Sequence, residues 1–154
     1  SIGYLKGLTE LSLEDMEVGD LLYLSALNKL TKLELKKVNI PNLGFLQYLK
    51  KLTVFETDRK AEDESNIGIF EEMQKLKELI YPIGDMKIIK NSINLRTIGV
   101  DASKLEALEY ISGLNITSIT IFNAASEEDA KSTVSEFKKY FKLQSYGWQQ
   151  TWKS

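Results

Sequence analysis

The stretches LTELSLEDMEV (residues 8–18) and LTKLELKKVNI (residues 30–40) carry one pattern, 22 residues apart. Leu8, Leu11 and Leu13 are followed by Met16 and Val18, and Leu30, Leu33 and Leu35 by Val38 and Ile40. Neither a helical stripe nor the strict alternation of a long strand has this spacing. A short strand, with every second residue on one face, followed by a turn does have it. A pattern that returns at a short fixed distance marks a chain built of stacked repeats.

Aligned on L-x-x-L-x-L, the pattern recurs as LTELSL from Leu8, LTKLEL from Leu30, LKKLTV from Leu49, LKELIY from Leu76, LRTIGV from Leu95 and ITSITI from Ile116. The offsets are 22, 19, 27, 19 and 21 residues. The remainder of each unit is also periodic, with apolar residues three apart. The series are Leu21, Leu24, Leu27, Leu30; Leu43, Leu46, Leu49, Leu52; Ile67, Phe70, Met73, Leu76; and Leu105, Leu108, Ile111, Leu114. A spacing of three keeps one face of a 3₁₀ segment inward. Each unit is therefore a short strand, a turn and a tightly wound segment, and it buries its apolar residues only against its neighbours.

This pattern resembles the leucine-rich repeat family, L-x-x-L-x-L-x-x-N-x-L, and within it the short internalin-like repeats, over roughly residues 2–124. The resemblance implies an α/β right-handed solenoid, with parallel strands on the concave face and 3₁₀ or short helical segments on the convex face. Met16, Val38, Thr57, Gly84, Ser103 and Ala124 stand where the family places the asparagine that ties down the turn. The turns must satisfy their backbone groups by other means, such as water. Arg59 also interrupts the last apolar position of the third unit.

The solenoid is expected over residues 1–125. SIGYLKG (residues 1–7) reads as the tail of an earlier unit, because Ile2 and Leu5 continue the three-residue series. With no cap before it, this end is expected to continue into a longer chain or to pack on another domain or copy. Residues 126–154 read as a capping helix and tail. Ser126 is a helix N-cap followed by Glu127, Glu128 and Asp129, and Ala130, Val134, Phe137 and Phe141 form the covering face. The tail LQSYGWQQTW is expected to add an edge strand or wrap the end, with Trp148 and Trp152 packing on the cap rather than holding a ligand. The extra length of the third unit falls in TDRKAEDESN (residues 57–66), which carries six charged residues between Asp58 and Glu64. It reads as a solvated loop, with a contact loop over the concave rim as the alternative.

Composition narrows the chemistry. The chain has no cysteine and no histidine, so it lacks thiolate ligands, disulfides, the commonest general base and the commonest metal ligand. No phosphate-cradling glycine motif occurs. Glu14 with Asp15, Glu62 to Glu64 and Glu127 to Asp129 each have a structural reason at a strand end, loop or helix start. Neither catalysis nor a cofactor or metal is expected. A net charge of −2 gives no reason for a nucleic-acid partner, and no apolar run is long enough for membrane insertion. The sequon Asn115-Ile116-Thr117 reads as incidental, since Ile116 opens a core strand.

The outward side chains of stacked strands form columns. The same register gives Glu10, Lys32, Lys51, Glu78, Thr97, Ser118; then Ser12, Glu34, Thr53, Ile80, Gly99, Thr120; then Glu14, Lys36, Phe55, Pro82, Asp101, Phe122. Glu10 beside Lys32 and Glu14 beside Lys36 are lateral pairs of opposite charge. Phe55, Ile80 and Phe122 read as apolar anchors of an interface, with local cover by the insertion or the tail as the other reading of the two phenylalanines. The expected partner-binding residues are Glu10, Glu14, Lys32, Glu34, Lys36, Lys51, Thr53, Phe55, Glu78, Ile80, Asp101 and Phe122. The function expected is a non-catalytic protein–protein interaction module that binds a protein partner on its concave face. The alternatives are a spacer or scaffold segment of a longer protein and an intracellular, immunity-type binding protein. The resemblance implies a bacterial protein, surface-exposed or secreted, and the cytoplasmic setting belongs to the last alternative.

Overall fold

The computed structural model describes residues 5–17 and 21–149. Ile2, Val18 and Trp152 lie outside the described residues. Among the described residues seven strands form a single parallel sheet in sequence order: β1 (Glu10–Glu14), β2 (Lys32–Lys36), β3 (Val54–Thr57), β4 (Glu78–Ile80), β5 (Thr97–Asp101), β6 (Ser118–Phe122) and β7 (Ser145–Trp148). Between them run the 3₁₀ segments Leu21–Ala26, Gly44–Tyr48, Met86–Ile89 and Leu108–Ile111, a single α-turn α1 (Ile69–Glu72), and the helix α2 (Glu127–Lys138). The three-residue leucine series runs through these segments and on to the next strand entrance, and its members Leu24, Leu27, Leu30, Leu43, Leu46, Leu49 and Leu52 are buried.

The entrance to each strand repeats one hydrogen-bonding device. The carbonyl of Thr9 accepts from the N–H groups of Thr31 and Lys32, and that of Thr31 from Thr53 and Val54. The carbonyl of Thr53 does the same for Lys77 and Glu78, Lys77 for Arg96 and Thr97, Arg96 for Thr117 and Ser118, and Thr117 for Gln144 and Ser145. The threonine hydroxyls of Thr31, Thr53 and Thr117 donate to the same carbonyls at 3.2, 3.1 and 3.3 Å. Among the described residues seven units follow, entering at Leu8, Leu30, Leu52, Leu76, Leu95, Ile116 and Leu143.

This ladder corrects the third unit. Lys32 lies opposite Val54 and Leu33 opposite Phe55, so the strand motif is LTVFET from Leu52 and not LKKLTV from Leu49. Leucine recurs every third residue from Leu43 to Leu52, so apolar spacing alone fits both registers. The Leu-Thr pair at 8–9, 30–31 and 52–53 distinguishes them, because that threonine makes the lateral bond.

The turns dispense with an asparagine ladder. Asp15, Lys37 and Asn123, each directly after a strand, take left-handed backbone with φ of 50°, 54° and 58°. The N–H of Asp15 bonds the carbonyl of Lys36, that of Lys37 bonds both carboxylate oxygens of Asp58 at 3.1 Å, and that of Ala102 bonds the carbonyl of Phe122. These turn groups are satisfied by neighbouring backbone and by an aspartate of the next unit.

At the C-terminal end the helix start is as expected: the Ser126 hydroxyl accepts from the Asp129 N–H at 3.0 Å, and Ala130, Val134, Phe137 and Phe141 are buried. The described part of the tail, to Gln149, does not wrap the end. It adds the parallel strand β7, with Trp148 opposite Ile121 and packed against the core.

Candidate functional site

The register makes the outer face of the sheet explicit. Glu10 lies beside Lys32, then Val54, Glu78, Thr97, Ser118 and Ser145; Ser12 lies beside Glu34, then Glu56 and Ile80. Farther along, Gly99 lies beside Thr120 and Gly147, and Glu14 beside Lys36. The inward residues between them, including Leu33, Leu35, Phe55, Leu79, Ile98, Val100, Ile119 and Ile121, form the core.

Of the expected site residues, Glu10, Glu14, Lys32, Glu34, Lys36, Glu78 and Ile80 stand on this face, exposed or half-buried. The others do not. Phe55 is 0% exposed and faces inward, the direct result of the three-residue register shift. It lies in a line of rings: Phe45 to Phe55 at 6.3 Å, Phe55 to Phe70 at 6.2 Å and Phe70 to Tyr81 at 5.3 Å between centroids. Lys51 is exposed in the turn ahead of β3, and Thr53 uses its hydroxyl in the strand-entrance ladder. Their places on the outer face belong to Val54 and Glu56.

Asp101 and Phe122 are outward by register but closed off, at 0% and 2% exposure. Asp101 is ion-paired with Lys60, and its Oδ1 accepts from the Ser103 N–H at 3.0 Å and the Ser103 hydroxyl at 2.6 Å. Burial pushes the Asp101 carboxyl up. The hydrogen bonds from Lys60 and Ser103, the Lys60 charge and the Asn123 side chain outweigh it and hold the group below its ordinary 3.8. Phe122 is buried apart from the main core cluster.

Lys60 belongs to the charged insertion, which is anchored rather than simply solvated. The N–H groups of Glu62 and Asp63 bond the carbonyls of Ile40 and Pro41 in the second unit. Tyr81 of the fourth unit accepts from the buried Ala61 N–H at 3.0 Å and donates to Glu64 at 2.5 Å. Burial and the Glu64 hydrogen bond together push the Tyr81 phenol far above its ordinary value, so it remains a donor. The loop thus contacts the second, fourth and fifth units. Apolar spacing carries no sign of this. The glycine inside β5 marks a different contact, between the chains of the fourth and fifth units. A Cβ on Gly99 would meet the Tyr81 carbonyl oxygen at 2.4 Å, so only glycine lets the chain after β4 pass this close.

On the open part of the face, the lateral charge pairs Glu10 with Lys32 and Glu14 with Lys36 are neighbours in register, but the ion pairs that form are others. Lys32 meets Glu34 of its own strand at 3.1 Å, and Lys36 meets Glu56 at 2.8 Å. Glu34 raises the Lys32 ammonium above its ordinary value, with Glu10 and Glu78 adding to it. For Lys36, burial works against the charge, and the hydrogen bond and charge of Glu56, with Glu34 and Asp58, outweigh it. Among the described residues no cluster of histidine, cysteine or acidic side chains is arranged to hold a metal ion, and no helix is long and apolar enough to cross a membrane.

No family model and no curated protein matches the chain. Solved structures do. An internalin (inlF) from Listeria monocytogenes aligns with a TM-score of 0.56 and 18% identity, over 94% of this chain and 49% of that one. An internalin C2 (inlC2) from the same organism aligns with a TM-score of 0.57 and 20% identity, over 96% of this chain and 74% of that one. The chain therefore spans about half the length of the first of these proteins. With the parallel sheet, the 3₁₀ backing and the C-terminal helix, this likeness establishes an internalin-like leucine-rich repeat fold.

Proposed function

We propose that the chain is a non-catalytic protein-interaction module that receives its partner on the outer, concave face of the sheet. The observation that carries this reading is the in-register face itself: strands locked laterally at both ends present aligned rows of half-exposed side chains. A surface ordered in advance loses little entropy when a partner docks. The fold of the two internalins is consistent with such a role, and the side chains available supply charge and hydroxyl contacts rather than a nucleophile and base.

The test is to select binders from a random-peptide display library against the full chain. Retention should fall on the outer-face variants Glu34→Arg and Thr120→Arg and persist on Tyr110→Arg, which alters an exposed convex position. Binders indifferent to both outer-face changes but lost on Tyr110→Arg would place the interaction on the other side and overturn the reading. Failure to select any binder would favour the spacer alternative.

A further inference from the structure

The two halves of the outer face differ in charge. On β1 to β4 stand Glu10, Glu14, Glu34, Glu56 and Glu78 with only Lys32 and Lys36. Five carboxylates against two ammonium groups leave this half at −3, whereas the whole chain, with 22 acidic and 20 basic residues, carries −2. The rest of the molecule is therefore slightly positive, and the negative charge is concentrated on this one surface. Both lysines are already engaged by Glu34 and Glu56, and among the described residues no ion pair reaches Glu10, Glu14 or Glu78. The open positions of β5 to β7 carry no charge: Thr97, Ser118, Thr120, Ser145 and Gly147. Their side chains are short, so a partner can approach closely there without desolvating an ion.

From this asymmetry we propose that the partner is a protein segment with lysine or arginine side chains at one end and an uncharged stretch at the other. It lies along the sheet with its basic end over β1 to β4. This rests on the face being the binding surface, as proposed above, and adds the partner's chemistry and direction. The three glutamates without an ion pair are the sites its cations would occupy. Since like charges at an interface are strongly disfavoured, the same surface discriminates against acidic partners.

The library selection separates this inference from the one it rests on. The expected binders are enriched in lysine and arginine at one end. They weaken about tenfold on the isosteric triple variant Glu10→Gln, Glu14→Gln, Glu78→Gln and again at high salt, as expected for three exposed ion pairs of about 0.5 kcal/mol each. Glu10→Gln alone should show part of the effect, and circular dichroism on both variants checks that the fold is kept. Binders that are lost on Thr120→Arg but carry no basic residues, and that ignore the glutamine changes, would overturn the basic-partner inference while leaving the outer face as the binding surface. Binders insensitive to Thr120→Arg and Glu34→Arg as well would remove both.

Discussion

The first two units and the third and fourth are made of the same parts but held together differently. Units one and two keep the 22-residue spacing, close their turns with left-handed Asp15 and Lys37, and fill the strand core with leucine. Units three and four lengthen and then shorten the spacing, to 24 and 19 residues, and place the Phe55, Phe70 and Tyr81 rings in the core, in a line that begins at Phe45 of the second unit. They also carry the anchored loop. The regular region relies on repeated generic contacts, whereas the irregular one relies on a few bonds that only particular residues make. Single substitutions should therefore cost more in the second region, and the size of the cost should identify which bond is involved.

The largest effect is expected from Phe55→Ala. It removes a fully buried ring from the middle of the aromatic line, and about 3–5 kcal/mol should be lost in denaturant unfolding. A loss below about 1 kcal/mol, close to that of a surface change, would mean that Phe55 faces outward and that β3 pairs with β2 in the other register.

A smaller loss, roughly 1–3 kcal/mol, is expected from Lys60→Met, since it leaves Asp101 buried with only Ser103 and Asn123 as partners and Lys60 is itself partly exposed. Its pH dependence has a definite sign. Asp101 is depressed in the fold, so its contribution is fully present above the ordinary 3.8 and is lost as pH falls through the lower folded value. The gap between wild type and Lys60→Met should thus narrow in acid. A gap that stays constant down the acid limb would show that Lys60 does not act through the carboxylate.

Tyr81→Phe should cost least, about 1–2 kcal/mol. The ring stays in place, but the Ala61 N–H and Glu64 lose their shared hydroxyl. Amide exchange should quicken at Ala61 while the strand amides of β1 and β2 stay protected. Unchanged exchange at Ala61 would argue against the tyrosine as the loop's anchor.

The regular region is legible in the sequence, and the irregular region only in part. Leu8, Leu30, Leu76, Leu95 and Ile116 each start a strand motif where the pattern places them, because a repeat with one inward face can be read from spacing alone. Phe55 escapes that reading because Leu49 and Leu52 both fit the spacing, and only the threonine after Leu52 resolves it. Glu10, Glu14, Lys32, Glu34, Lys36, Glu78 and Ile80 stand on the face where the columns put them. Val54 and Glu56 are missing from the columns through the same shift. Asp101 and Phe122 lie on the side of the sheet that the columns predict but are closed off, since nothing in a repeat pattern shows that Lys60 reaches across from a loop two units earlier. Long-range side-chain bonds leave no periodic signal.

Stacked coils that touch only their immediate neighbours melt like a zipper, one rung after another from whichever end is weaker. The insertion after β3 joins rungs two, four and five to its own, so those four cannot come apart singly. Pulled from its ends, the chain should release its terminal rungs gradually and then yield the central block in one step. The fold would thus keep a preformed stretch of sheet under loads that had already frayed its margins.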